Sequence, residues 1–126
     1  MTSGISESLW GIDLGGTKIE GVIMDPAHPY QALHRLRVPT EAVKGYDHIL
    51  SQFSNLISLL EEASGTKRPP RIGIGTPGVT TPKTGLLKNS NTLCLNGKPL
   101  AADLSRILGC EAILANDANC LSLINI

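Results

Sequence analysis

The stretch that most constrains this chain is Leu9 to Ile23, LWGIDLGGTKIEGVI. Trp10, Ile12 and Leu14 alternate with Gly11 and Asp13, and Ile19, Val22 and Ile23 resume the apolar pattern after Gly15-Gly16. Two alternating runs around a Gly-Gly pair predict two short strands joined as a hairpin. Glycine lacks a Cβ and admits positive φ, so a tight turn is expected there. Bare backbone amides, the Thr17 hydroxyl and the Lys18 ammonium then share one tip. Such a set suits phosphate, whose oxygens only accept hydrogen bonds. Asp13, in the strand just before the turn, is placed to hold a magnesium ion through water.

The better-known phosphate loops do not fit this stretch. The Walker A pattern needs Gly-Lys followed by Ser or Thr at the opening of a helix. Here the order is Gly16-Thr17-Lys18, and the residues after Lys18 read as strand. The GxGxxG dinucleotide fingerprint is absent. Gly15-Gly16 alone reads as a plain glycine hairpin; Asp-x-Gly-Gly-Thr-Lys between two strands is the more specific signal.

The 126 residues suit one domain with a single core. Lysine plus arginine and aspartate plus glutamate each total 11, which removes any electrostatic reason to expect nucleic acid or an anionic membrane as partner. One Trp, one Phe and two Tyr offer no stacking platform for single-stranded nucleic acid, so the core must be aliphatic. Cys94, Cys110 and Cys120 are odd in number and form no CxxC pair, which argues against a zinc knuckle or a disulfide framework and for a reduced, cytoplasmic setting. No apolar run approaches the roughly 20 residues needed to span a bilayer. Residues 1–8 lack signal-peptide features and read as a disordered lead-in.

After Asp25, residues Pro26, His28 and Pro29 predict a turn, and Gln31 to Val38 a third strand closed by Pro39-Thr40. Ile49, Leu50, Phe53, Leu56, Ile57 and Leu60 make one stripe at the helical period, so Gly45 to Ser64 reads as a helix packed on a sheet, capped by Gly65. Arg71 to Thr76 reads as a strand with small residues at alternate positions. Residues 80 to 98 read as a long ordered loop with a short strand at Gly85 to Lys88. Pro99 to Leu108 predicts a second helix ended by Gly109, Glu111 to Ala115 a fifth strand, and a third helix begins near Ala118. The order βββαβαβα implies an α/β fold. A mixed five-stranded sheet is expected, antiparallel at its start and parallel after the crossover helices, with helices on both faces.

In an open α/β sheet, ligands collect beyond the carboxyl ends of the parallel strands. Thr76-Pro77-Gly78-Val79 lies at one such end, Asn116-Asp117 at the other, and Asn89 and Asn91 lie in the loop between. Asp117 is the candidate base for a hydroxyl that attacks a γ-phosphate, although an Asp there can also be a plain helix cap. Asn116 and Asn91 could orient sugar hydroxyls, or cap a helix and close a turn. His28, His34 and His48 have no partner spacing and read as solvated, as do Lys83, Lys88 and Lys98.

Three segments together carry a resemblance. They are Gly11-Ile12-Asp13-Leu14-Gly15-Gly16-Thr17-Lys18; Gly73 to Gly78 with Thr84-Gly85; and Leu95-Asn96-Gly97-Lys98-Pro99-Leu100 leading to Asn116-Asp117-Ala118-Asn119-Cys120. The first resembles the phosphate hairpin of the sugar kinase, Hsp70 and actin superfamily. In this order and spacing the three resemble the N-terminal lobe of a ROK-family sugar kinase, over residues 9 to about 121. The resemblance implies an actin-like ATPase (ribonuclease H-like) lobe. It implies ATP and Mg2+ as cofactors and a hexose or N-acetylhexosamine as substrate. It implies ATP-phosphate contacts at Asp13, Gly15, Gly16, Thr17 and Lys18, sugar contacts at Gly78, Val79, Asn91 and Asn116, and Asp117 as catalytic base and sugar ligand.

Members of that family are about twice this length and are expected to be homodimers. Their second lobe, and the zinc site many carry at its start, have no counterpart here, and Leu121 to Ile126 departs from the expected Ala/Glu-rich helix. Residues 9–126 therefore read as a lobe truncated in its last helix, with negligible kinase activity alone. A non-catalytic remnant or sugar-binding half-module is the alternative reading. A sugar-responsive transcription regulator of the same family ranks lower, because only eight residues precede Leu9 and no basic recognition helix is present.

Overall fold

The structure is a computed structural model that describes residues 9–25, 27–76, 79–80, 83–88, 90 and 92–116. Three strands open the chain: β1 (Leu9–Leu14), β2 (Lys18–Asp25) and β3 (His28–Pro39). Helix α1 (Tyr46–Ser64) comes next, then β4 (Arg71–Thr76), the short strands β5 (Val79–Thr80) and β6 (Leu87–Lys88), helix α2 (Leu100–Leu108) and β7 (Glu111–Asn116). Five strands form one sheet in the order β3-β2-β1-β4-β7. The first three pair antiparallel, and β1 with β4 and β4 with β7 pair parallel, as the hairpin and crossover signals imply. The expected strand at Gly85 to Lys88 is β6, which pairs with β5 as a separate ribbon.

Alternation along β1 decides which face is core. Trp10, Ile12 and Leu14 are buried on one side, together with Ile19 and Ile23 of β2 and Ile72 and Ile74 of β4. The α1 stripe (Ile49, Leu50, Phe53, Leu56, Ile57, Leu60) and Leu100, Leu104 and Leu108 of α2 close on that face in one continuous cluster. Both described helices thus share a face. The third helix expected from Ala118 lies outside the described residues. Gly21 lets α1 approach β2: a Cβ there would stand 2.7 Å from Leu60 Cδ1 and 3.2 Å from Leu56 Cδ2.

Helix α1 ends at Gly65 with φ 72° and its N–H on the Glu61 carbonyl, and α2 ends at Gly109 with φ 70° and its N–H on the Ser105 carbonyl. These are the left-handed caps that the glycine positions predict. The turn into β3 is shorter than expected, because His28 and Pro29 already belong to the strand. Strand β3 is an edge strand, where a proline costs no ladder bond, and register shifts around Met24 absorb the mismatch.

Candidate functional site

Strand register assembles one edge of the sheet. Asp13 of β1 lies opposite Gly75 of β4, and Thr76 of β4 opposite Asn116 of β7. All three strands run parallel, so the hairpin tip after β1 and the carboxyl ends of β4 and β7 lie on the same edge. Asn116 is the last residue of β7 and not the first beyond it, since the ladder with Thr76 extends one position further than its sequence pattern suggests. Val79 opens β5, which lies beside β7. Gly78, Asn91 and Asp117 lie outside the described residues.

The hairpin tip is built differently from expectation. Neither Gly15 nor Gly16 has positive φ. The Gly15 N–H donates to the Lys18 carbonyl at 2.9 Å, and a Cβ on Gly15 would stand 2.9 Å from that same oxygen. Glycine is therefore required by a close backbone approach rather than by a left-handed conformation. Gly16 faces more open space, where the nearest atom to a Cβ would be Thr92 Oγ1 at 3.9 Å. Gly16, Thr17 and Lys18 are exposed, and among the described residues no acceptor meets the N–H of Gly16 or Thr17. Two amides without an acceptor among the described residues, a hydroxyl and an ammonium at one tip fit a phosphate group.

Asp13 is exposed, and its register partner across β2 is Glu20, which pairs with Arg35 at 3.5 Å. Among the described residues no group of three or more His, Cys, Asp or Glu could hold a metal ion. An exposed carboxylate beside such a tip fits the chemistry of magnesium, which keeps most of its waters and takes one or two carboxylates plus phosphate oxygens.

Three buried or half-buried polar residues to which the sequence reading gave no role hold this edge. Thr40 is fully buried; its hydroxyl donates to the Gly15 carbonyl at 2.8 Å and its N–H to the Thr17 carbonyl at 2.9 Å. Gln52, on the apolar side of α1, donates from Nε2 to the Pro39 carbonyl at 2.6 Å and accepts from Asn55 at 2.9 Å. In the loop, Asn96 brackets Ser90 from both sides. Its Oδ1 accepts from the Ser90 N–H at 2.9 Å and its Nδ2 donates to the Ser90 carbonyl at 3.0 Å. The Thr92 N–H adds a bond to Ser90 Oγ at 3.1 Å. A threonine closing a strand and a glutamine beside an apolar stripe are the signals that could have pointed to the first two.

One surface expectation needs correction. His48 is not a solvated histidine: its Nε2 lies 2.7 Å from Glu41 Oε1. That hydrogen bond, before any other influence, holds the Glu41 carboxyl below its usual range. Lys98 is exposed but sits over the Tyr46 ring, 5.4 Å from its centre. The Tyr46 hydroxyl donates to Asp103 Oδ2 at 2.7 Å, and burial foremost pushes its pKa above the usual tyrosine range.

A mixed β3-β2-β1-β4-β7 sheet with a phosphate-type hairpin after its central strand defines a lobe of the actin-like ATPase fold. Residues 9–124 match the ROK family, and the chain belongs to that family. It is 36% identical over 114 residues to an N-acetyl-D-glucosamine kinase of Escherichia coli, covering 90% of this chain and 36% of that protein. Its fold matches a ROK hexokinase from Thermus thermophilus with TM-score 0.74 and 28% identity, over 90% of this chain and 36% of that one. A ROK glucokinase from Streptomyces griseus, solved with glucose and AMPPNP, shares the fold at TM-score 0.73 and 22% identity, over 90% of this chain and 34% of that one. The chain thus spans about 36% of the length of the curated relatives it matches, so those relatives are longer than the twofold expected from the sequence. Among the described residues no helix is long and apolar enough to cross a membrane.

Proposed function

We propose that this chain supplies the phosphate-binding and acceptor-activating wall of an ATP-dependent sugar kinase. The acceptor is a hydroxyl of a hexose or N-acetylhexosamine. The observation that carries the proposal is the shared edge. The bare tip at Gly16-Thr17-Lys18 comes after β1, and Asn116 ends β7, two strands away in the same parallel register, with Asp117 next in the chain. Such an edge can bring a nucleotide phosphate and a sugar hydroxyl together. Identity to N-acetyl-D-glucosamine kinases supports an N-acetylhexosamine among the acceptors.

In this reading the tip amides, Thr17 and Lys18 bind the ATP phosphates and orient the γ-phosphorus for in-line attack. Asn91 and Asn116 hold sugar hydroxyls, with Gly78 and Val79 beside the ring. Asp117 accepts the proton of the attacking hydroxyl as its oxygen bonds to phosphorus and ADP departs. Asp13 would hold Mg2+ through water; the bound ion neutralises charge on the phosphates. Positioning and exclusion of water need walls on both sides of the substrates. Turnover by these 126 residues on their own is therefore expected to be negligible.

Titration calorimetry of the purified chain with N-acetylglucosamine, N-acetylmannosamine, glucose and fructose tests the reading. Saturable binding of one sugar, weakened about tenfold or more by Asp117→Asn, supports it. Binding that Asp117→Asn leaves unchanged, or brisk turnover of a hexose by the chain alone, would count against it.

A further inference from the structure

We propose that Thr40 is the positioning residue of the phosphate hairpin. Its hydroxyl sets the direction in which the tip presents the Gly16 N–H. The proposal rests on the phosphate reading above, but its geometry stands apart from it.

A Gly-Gly turn has little side-chain restraint of its own, and a peptide plane there can flip at low cost. Flipping matters at an anion site, because N–H and C=O of a trans peptide point in opposite directions. Reversing the Gly15–Gly16 plane would replace an outward N–H with an outward carbonyl oxygen, which repels phosphate. The Thr40 hydroxyl takes the Gly15 carbonyl at 2.8 Å and so turns the Gly16 N–H away from the protein. The Thr40 N–H takes the Thr17 carbonyl at 2.9 Å and fixes the far corner of the same turn. Gly15 N–H on the Lys18 carbonyl closes the third side. Three inward bonds thus account for the carbonyls of Gly15, Thr17 and Lys18.

The clamp is itself anchored. Thr40 is wholly buried, and the residue before it is held by Gln52 of α1, which is in turn braced by Asn55. A hydroxyl that only filled space would not need this backing. The chain of contacts runs from a helix packed in the core to a tip exposed at the sheet edge, so the hairpin's shape is referred to the buried core.

The test compares Thr40→Val, which keeps volume and N–H but loses the hydroxyl, with Thr40→Ser, which keeps the hydroxyl. Affinities for Mg-ATP and for N-acetylglucosamine are measured on the same preparations, with thermal melts. Thr40→Val should weaken ATP about tenfold, the loss of one buried hydrogen bond. Sugar binding should be unchanged and Thr40→Ser within about twofold of the parent. Equal weakening of ATP and sugar, or no weakening of ATP, overturns the proposal. Should Thr40→Val not fold, Thr40→Ser decides alone: near-parent ATP affinity supports the clamp and a tenfold loss refutes it. If the parent chain binds no ATP, the phosphate reading fails and the amide NMR signals decide the geometry. Displaced Gly16 and Thr17 signals in Thr40→Val, restored in Thr40→Ser, support the clamp; unmoved signals refute it.

Discussion

Replacing Gly15 and Gly16 by alanine, one at a time, separates two reasons for glycine that the sequence alone merges. At Gly15 the new Cβ would stand 2.9 Å from the Lys18 carbonyl, a backbone atom that cannot swing aside. That oxygen also accepts the Gly15 N–H, so relief must lengthen the bond that closes the turn and disturb the Thr40 hydroxyl on the Gly15 carbonyl. Overpacking of this kind costs about 1–3 kcal/mol, and a net hydrogen bond about 0.5–1.5 kcal/mol. The loss of glycine's freedom in the unfolded chain offsets about 0.4–1 kcal/mol. Gly15→Ala should therefore destabilise by about 1–3 kcal/mol. At Gly16 nothing comes nearer than 3.9 Å and φ is not left-handed, so Gly16→Ala should change stability by less than about 0.5 kcal/mol. Its methyl would instead shield the outward amide and weaken Mg-ATP binding. Urea unfolding followed by circular dichroism reads the first effect. With a slope of about 1–3 kcal/mol/M, a 2 kcal/mol loss moves the midpoint by about 1 M. Parent-like stability of Gly15→Ala, or a larger loss in Gly16→Ala, would refute this division of roles.

Gly21→Ala should destabilise by about 1–2 kcal/mol, because its Cβ meets fully buried Leu60 and Leu56 at 2.7 and 3.2 Å; an unchanged denaturation midpoint would show that α1 can lift off the sheet freely. Asn96→Ala removes both bonds around Ser90, so limited proteolysis should cut within residues 86–96 of the variant well before the parent, while the melt of the sheet stays cooperative. Glu61 accepts two side-chain bonds and one backbone bond from Arg68, which also reaches the Leu108 carbonyl and so ties the end of α1 to α2. Arg68 holds the Glu61 carboxyl below its usual range, chiefly through these hydrogen bonds, so the unfolded chain binds the proton more tightly than the folded one. That stability is complete above about pH 5 and is lost as pH falls through the folded value. Glu61→Gln should cost about 1–2 kcal/mol at neutral pH and flatten the acid limb of a stability profile, and an acid limb of unchanged slope would assign that slope to other carboxylates.

What was legible in the sequence was whatever rests on periodicity. The strand alternation around Trp10, Ile12 and Leu14, the α1 stripe and the Gly65 and Gly109 caps all specify themselves locally, and the sheet order comes from connecting them. The fit of these elements carried the fold, whereas the family resemblance came from the three motif segments around Gly15-Gly16, Gly73–Gly78 and Asn116-Asp117. What stayed hidden was every contact that joins positions far apart. Thr40 looked like the end of a strand because its partners, Gly15 and Thr17, lie on another strand's turn. Gln52 is one polar residue beside an apolar stripe, and its acceptor is a proline carbonyl that no pattern announces. The positive-φ reading of Gly15 failed for a related reason. A steric demand set by Lys18 across the turn looks, in one dimension, the same as a demand for left-handed backbone.

Register ties the fold to the site. Asp13 lies between Ile12 and Leu14, both fully buried, and faces outward only because the hairpin pairs Leu14 with Ile19 and Ile12 with Gly21. A slip by one residue would turn Asp13 into the apolar cluster and expose the isoleucine and leucine beside it. The same slip would move the hairpin tip away from Thr40 and shift Asp13 off Gly75, the position that aligns it with the carboxyl ends of β4 and β7. Burial of the aliphatic residues therefore places the carboxylate and the hairpin tip as a direct consequence of forming the core. Such a site should tolerate conservative core exchanges such as Ile12→Val, which keep the pattern. A change that alters the spacing between Asp13 and Gly15 should disable it even where each side chain is retained.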